Sequence, residues 1–278
     1  KRLGCEVVGV DMQEAIGGLT DPEVSKTAID IIGKEMPMWL GHPAEISEGS
    51  NGRLRVTAGD NSIEVDRVFA SLGRQPNVEK LGLEKIGAPI GKHGIPVYNP
   101  NTMQVGELPV FLAGDVTGER PLLHEAGDEG RIAGQNAVSD KVTAYKRKTP
   151  LNITFCDPNI VQVGHNYASL DLDKTAIGEV QMAPVGRALI MAKNKGLIRV
   201  YADKATGLML GAEMVCIKAE NLGHLLAWSI QQGLTVGELL QMPFYHPVIE
   251  EALQAALYDL YSKVEAKNPG PIVEVLPL

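Results

Sequence analysis

The sequence predicts an α/β portion at its start, followed by an α+β domain with an antiparallel sheet and helices. Three observations carry this reading. The run Cys5-Glu6-Val7-Val8-Gly9-Val10-Asp11 looks like a buried parallel strand, and a helix signal follows it at Asp21. Short β-type runs then alternate with strong turn signals at Asn51-Gly52 and Gly59-Asp60-Asn61. Beyond about residue 150, strand-like runs come first and amphipathic helices last, as in an α+β domain.

Taken in order, the first helix is expected from Asp21 to Lys34. Asp21 suits the N-cap, Pro22 the first helical position, and Gly33 the end. Asn51-Gly52 between Glu45–Glu48 and Leu54–Thr57 predicts a hairpin. Val65–Leu72 reads as a further apolar strand, ending in Gly73-Arg74-Gln75-Pro76-Asn77. From Val78 to Gly106 the chain is rich in Gly and Pro and predicts loop. Val110–Ala113 reads as a short buried strand running into Gly114-Asp115. A helix crowded with small residues is expected from about Leu122 to Ser139. Lys141–Thr149 is basic and polar and reads as a solvated connector.

In the second half, strands are expected at Ile153–Phe155, Val161–Val163, Val180–Pro184, Ala188–Ala192, Ile198–Tyr201 and Met209–Val215. Leu222, Leu225, Leu226 and Ile230 fall at helical spacing. Thr235 with Glu238 fits a capping box, and Ile249, Leu253, Ala256, Leu257 and Leu260 form another apolar stripe. These patterns divide the chain into segments 1–78, 79–150 and 151–278.

A chain of 278 residues, 44% apolar and 22% charged, is an ordinary globular composition with room for two domains or pieces of three. A formal charge of -8 argues against a nucleic-acid partner. No apolar run approaches the roughly 18–20 residues that span a bilayer, and the start carries no signal segment. A cytoplasmic protein without a membrane partner is therefore expected. Cys5, Cys156 and Cys216 are far apart and form no local redox pair or zinc motif. His42, His93, His124, His165 and His224 are scattered, and no metal site is expected. Lys1-Arg2-Leu3-Gly4 feeds a strand almost at once, without an initiator Met, so the chain reads as starting in mid-domain.

Five places could carry chemistry. Asp11 ends a strand, where the acid of a Rossmann-type unit hydrogen-bonds an adenosine ribose; an ordinary strand-end acid looks the same. Gly73 and Arg74 end a strand where glycine permits close approach to a ligand, or simply makes a turn. Asp115 after Gly114 could accept a hydrogen bond from a sugar or ribitol hydroxyl. The helix start at Leu122, Leu123 and His124 offers free N–H groups to phosphate or ring oxygens. Last is Phe244-Tyr245-His246-Pro247-Val248-Ile249-Glu250-Glu251. Proline holds His246 extended, and the helix that follows carries Glu251 back toward it. A carboxylate on one imidazole N–H leaves the other nitrogen free to move a proton; a histidine in a turn can also be structural.

In this order the segments resemble the flavin-dependent pyridine nucleotide–disulfide oxidoreductases. Gly73-Arg74-Gln75-Pro76-Asn77 is similar to that family's GRxPN element. Phe111-Leu112-Ala113-Gly114-Asp115-Val116 is similar to its second FAD-binding segment, and Leu122-Leu123-His124-Glu125-Ala126 with Glu129-Gly130 to the helix start that follows. Asp157-Pro158 with Val163-Gly164 resembles the opening of its dimer-interface domain, and His246-Pro247 with Glu251 its C-terminal His–Glu pair. The branch most resembled oxidises dihydrolipoamide with NAD+ in 2-oxo acid dehydrogenase complexes, through a redox disulfide and FAD.

The resemblance implies FAD and NAD as cofactors. It implies a homodimer, and a lipoyl domain of such a complex as partner. It makes His246 the base, oriented by Glu251, and Asp11, Gly73, Arg74, Gly114, Asp115, Leu122, Leu123 and His124 cofactor contacts. It assigns 1–78 to the end of the NAD domain, 79–150 to a central FAD-domain segment and 151–278 to dimerisation. The family's FAD fingerprint, CxxxxC pair and NAD glycine motif are expected upstream of Lys1, so this stretch alone is expected to be inactive. Two departures stand out: Phe244 where that branch usually has a second histidine, and Asp11 where it usually has Glu. A glutathione-reductase-like enzyme using NADPH, or a redox-inert dimerisation module, are the other readings.

Overall fold

The structure is a computed structural model that describes residues 1–267 and 269–270. Strand β1 (Gly9–Asp11) pairs in parallel with β2 (Met38–Leu40), and helix α1 (Pro22–Gly33) connects them. β1 is shorter and more exposed than expected, because a parallel strand is buried only where the sheet extends and is covered on both faces. Asp21 caps α1 as its position suggests. Its backbone is extended, and its carboxylate accepts the N–H groups of Glu23 and Val24.

Strands β3 (Glu45–Glu48), β4 (Leu54–Ala58) and β5 (Asn61–Val65) form an antiparallel meander. Asn51 (φ 52°) and Gly52 (φ 77°) take the left-handed backbone that the first turn requires. The strand expected over Val65–Leu72 ends at Val65. Beyond it, among the described residues, no strand pairs with this segment, and Phe69 and Leu72 stand 95% exposed. An extended segment without a ladder has nothing to hold its backbone groups.

The chain divides into two compact units, residues 1–68 with 149–278 and residues 69–148. The second unit is built of short turns around a small core of Ala88, Val105 and Leu112, with helix α2 (Leu123–Ala137) its longest element. Val110–Ala113 makes only an isolated bridge, Phe111 to Gln104, in place of the expected strand. The supposed connector is tied down. Arg147 pairs with Glu125 and Glu129, Lys148 pairs with Asp128, and the Asn136 side chain holds the backbone of Thr143.

In the first unit, β6 (Leu151–Thr154), β7 (Asn159–Gly164), β8 (Thr175–Gln181), β9 (Leu197–Asp203) and β10 (Met209–Cys216) form an antiparallel sheet of order β6-β7-β10-β9-β8. Alternation along the strands splits its side chains between two faces. Ile160, Leu197 and Val215 pack with Val24 and Ala28 of α1. Val161, Ile198, Val200 and Met214 pack with α4 (Ala219–Gln231), α5 (Val236–Leu240) and α6 (Glu250–Lys263). The Thr235–Glu238 capping box is present at α5.

Residues 186–190 form a short helix, α3 (Gly186–Ile190), where a strand was expected. Ala188, Leu189 and Met191 favour helix, and among the described residues no strand pairs with them. α6 lies close on β8 because residue 178 is glycine. A Cβ there would stand 2.5 Å from Leu260 Cβ and 2.6 Å from the Leu260 nitrogen.

Candidate functional site

The segment before α6 sets the first site. Phe244 packs against the main core, and the chain then turns through a cis His246-Pro247 peptide. The His246 ring is 81% exposed, and its Nδ1 lies 2.8 Å from Glu251 Oε1. The second carboxylate oxygen of Glu251 accepts the Val248 N–H at 3.0 Å. The hydrogen bonds from His246 and from the Val248 amide hold the Glu251 carboxyl below the usual carboxylate range. One ring nitrogen is therefore taken by a fixed anion, while the rest of the ring is open to an approaching group. Sequence spacing placed the two side chains together. It gave no sign of the Val248 amide, because a backbone donor leaves no trace in residue type.

The second site lies in the unit of residues 69–148. Gly73, Arg74 and Asp115 line a cleft of about 820 Å³, with Pro121 and His93 on its wall. Gly73 has φ +85°, and a Cβ on it would meet nothing within 4 Å, so the backbone there faces open space. Arg74 Nε lies 3.0 Å from Asp115 Oδ2, and Arg74 Nη2 donates to the Pro121 carbonyl at 2.9 Å. Gly114 has φ +81° and lies beneath the lining; its N–H donates to Glu129 Oε2 at 2.7 Å.

After Pro121 the chain enters α2 with Leu122 as N-cap, in extended backbone and without a side-chain cap. Leu123 is 91% exposed and His124 is exposed. The first-turn donors of α2 thus lack the usual capping oxygen. Asp11 belongs to the other unit. It ends β1, is exposed, and its Oδ1 accepts the Gln13 N–H at 2.9 Å. The structure therefore joins Gly73, Arg74 and Asp115 in one cleft and pairs His246 with Glu251. The sequence pointed to none of the roles of Arg147, which reads there as one charge in a basic run.

Two family models match. One, described as pyridine nucleotide-disulphide oxidoreductase, covers residues 1–130, and its dimerisation-domain counterpart covers residues 151–257. The chain belongs to the pyridine nucleotide-disulphide oxidoreductase family. Members similar to it include the dihydrolipoyl dehydrogenase of Chlamydia muridarum, 26% identical over 252 residues, covering 90% of this chain and 54% of that protein. The dihydrolipoyl dehydrogenase of Rhizobium etli is 28% identical over 280 residues, covering 95% of this chain and 56% of that protein. The chain thus spans a little over half the length of these relatives.

Two solved structures share the fold. The HOCl-induced flavoprotein disulfide reductase RclA from Escherichia coli superposes with TM-score 0.77 at 22% identity, over 94% of this chain and 60% of that one. LpdA from Mycobacterium tuberculosis does so with TM-score 0.79 at 23% identity, over 92% and 56%.

Proposed function

We propose that this chain carries the acid–base half of an FAD-dependent dihydrolipoyl dehydrogenase, which oxidises dihydrolipoamide to lipoamide with NAD+. The carrying observation is the His246–Glu251 pair at 2.8 Å with the rest of the imidazole open. A dithiol attacks a disulfide only as thiolate. The substrate thiol gives its proton to the free ring nitrogen of His246, and Glu251 fixes the ring and stabilises the imidazolium that results. The thiolate then displaces one sulfur of the redox disulfide. Cys5, Cys156 and Cys216 are free thiols and no two of them stand at CxxxxC spacing, so none of them is given that role.

The residues of the cleft fit the flavin. The half-exposed Asp115 carboxylate is an acceptor for a hydroxyl, and the uncapped start of α2 at Leu122, Leu123 and His124 is a donor set for phosphate or ring oxygens. Gly73 leaves room for close approach, Gly114 shapes the turn beneath, and Arg74 holds Asp115. Bound there, FAD would supply the two-electron relay between the enzyme dithiol and NAD+. Asp11, exposed at the end of β1, takes the ribose of NAD.

Segments 1–78, 79–150 and 151–278 serve NAD binding, FAD binding and dimerisation. The exposed Trp228, Leu189 and Ile190 supply apolar surface for a homodimer, and a lipoyl domain is the partner that delivers substrate. The test is NADH formation by the intact enzyme from dihydrolipoamide and NAD+. His246→Gln should lower turnover by about 10²–10⁴-fold with flavin content unchanged. Unaltered turnover overturns the assignment of the base. Reduction of glutathione disulfide with NADPH, in place of lipoamide turnover, overturns the substrate.

A further inference from the structure

Beneath the Gly114–Asp115 turn lies a buried charged cluster that the proposed chemistry does not use. Glu129 is 1% exposed, Glu125 6% and Arg147 12%. One Glu129 oxygen accepts the Gly114 N–H at 2.7 Å, and the other receives Arg147 Nη2 at 2.5 Å. The same Nη2 reaches Glu125 Oε2 at 2.8 Å, and Arg120 Nη1 lies 3.3 Å from the other Glu125 oxygen. Thr117 Oγ1 donates to the Gly114 carbonyl at 2.9 Å, so the residue is held at both its N–H and its C=O. The turn lies close on α2, where a Cβ added at Gly114 would stand 3.3 Å from Ala126 Cβ.

A buried carboxylate with two acceptor oxygens is stable only if both are satisfied and its charge is matched. Glu129 meets that condition through one backbone amide and one guanidinium. The amide belongs to the residue that immediately precedes Asp115, so the direction of the Asp115 side chain depends on where Glu129 is held.

We propose that Glu129 and Arg147 are positioning residues for Asp115: Arg147 fixes Glu129, Glu129 fixes the Gly114 amide, and the turn so held aims the Asp115 carboxylate into the cleft. This rests on reading that cleft as the flavin site. Arg147 lies two positions before Thr149, where the chain passes into the other unit. The segment that leads out of the cofactor unit is thus itself part of the support for the cofactor turn.

The test measures FAD dissociation from the intact enzyme, together with amide hydrogen exchange at Gly114 in the absence of added flavin. The variants are Glu129→Gln, Arg147→Met, Arg147→Lys and, as a check on the cleft, Asp115→Asn. Glu129→Gln and Arg147→Met should each speed FAD loss by about tenfold, as expected for one charge-assisted contact acting through the turn. They should also speed exchange at Gly114 more than at amides of β9 and β10. Arg147→Lys should fall between wild type and Arg147→Met, because it keeps the charge but not the fork.

If Asp115→Asn sheds flavin while Glu129→Gln and Arg147→Met leave both readouts at wild-type values, the positioning role is overturned and the cleft stands. If Asp115→Asn also retains flavin normally, the reading of the cleft is what fails. Should Arg147→Met not fold, rapid exchange of the Gly114 amide in the wild-type protein overturns the proposal, and slow exchange there supports it.

Discussion

Arg199 Nη1 lies 2.7 Å from one carboxylate oxygen of Asp21 and 2.8 Å from the other, so the residue that caps α1 is also ion-paired to strand β9. Asp21 is fully buried and further accepts the Tyr201 hydroxyl at 2.8 Å. The same corner is closed by Glu213, whose carboxylate accepts the N–H groups of Thr20 at 2.8 Å, Asp21 at 2.9 Å and Tyr167 at 3.0 Å.

Asp21→Asn keeps the shape of the cap and removes the charge that faces Arg199. The half-buried Arg199 then keeps only the half-exposed Glu179, 3.1 Å from its Nε, as counter-charge, so stability should fall by about 2 kcal/mol. Urea unfolding checks this, and a loss under about 0.5 kcal/mol would mean that the pair is not what docks α1 on the sheet.

Glu64 of β5 ties the turn between β3 and β4 to strand β4. It accepts from Ser50 Oγ at 2.6 Å and from Arg55 at 2.9 Å, and the hydrogen bonds of Ser50 and Arg55 hold its pKa down to about 2. A carboxyl lowered in the folded state stabilises above its unfolded pKa of about 4.3, and this contribution is lost as pH falls through about 2. Carboxyl NMR should find Glu64 still ionised at pH 3, and an ordinary midpoint near 4 would contradict the bonding described.

Glu251→Gln leaves the Val248 amide an oxygen to bond but replaces the anion beside His246 with a neutral amide. With His246 as the base proposed above, turnover of the intact enzyme should drop by about 10²-fold, since an imidazolium formed there would lose its counter-charge. The Glu251 carboxyl is held below the ordinary range, so the wild-type pair persists as pH falls below the usual carboxylate value and is lost only through the lower folded one. A variant as fast as wild type would show that the ring needs no anion.

Gly178→Ala puts a methyl group into the contact between β8 and α6, where the new atom would meet Leu260 Cβ at 2.5 Å. Overpacking of this kind should cost about 3 kcal/mol and shift the helix outward. Denaturant unfolding gives the cost, and no change would indicate that α6 has slack that the packing does not show.

Much of this was legible in the residues. The cap at Asp21, the turn at Asn51-Gly52, the box at Thr235–Glu238 and the stripe on α6 are local signals, and each element stands where its signal lies. The His246–Glu251 pairing was legible because the proline and the helix start between them leave little freedom. What failed depended on distant partners. Beyond Val65 the stretch to Leu72 has no ladder among the described residues, and of the expected strand Ala188–Ala192 the first three residues lie in helix α3. Arg147 reads as one more exposed charge until Glu125 and Glu129 are seen one turn apart on the face it meets.

The sheet order β6-β7-β10-β9-β8 carries a kinetic consequence. Three of its junctions join strands that follow one another in the chain and can zip as local hairpins. The fourth joins β7 to β10 and sets Asn159 opposite Cys216, with β8, α3 and β9 looped between them. Closing that loop is the costly entropic step, so it is the ring closure on which collapse of the whole sheet, and the speed of its folding, should depend.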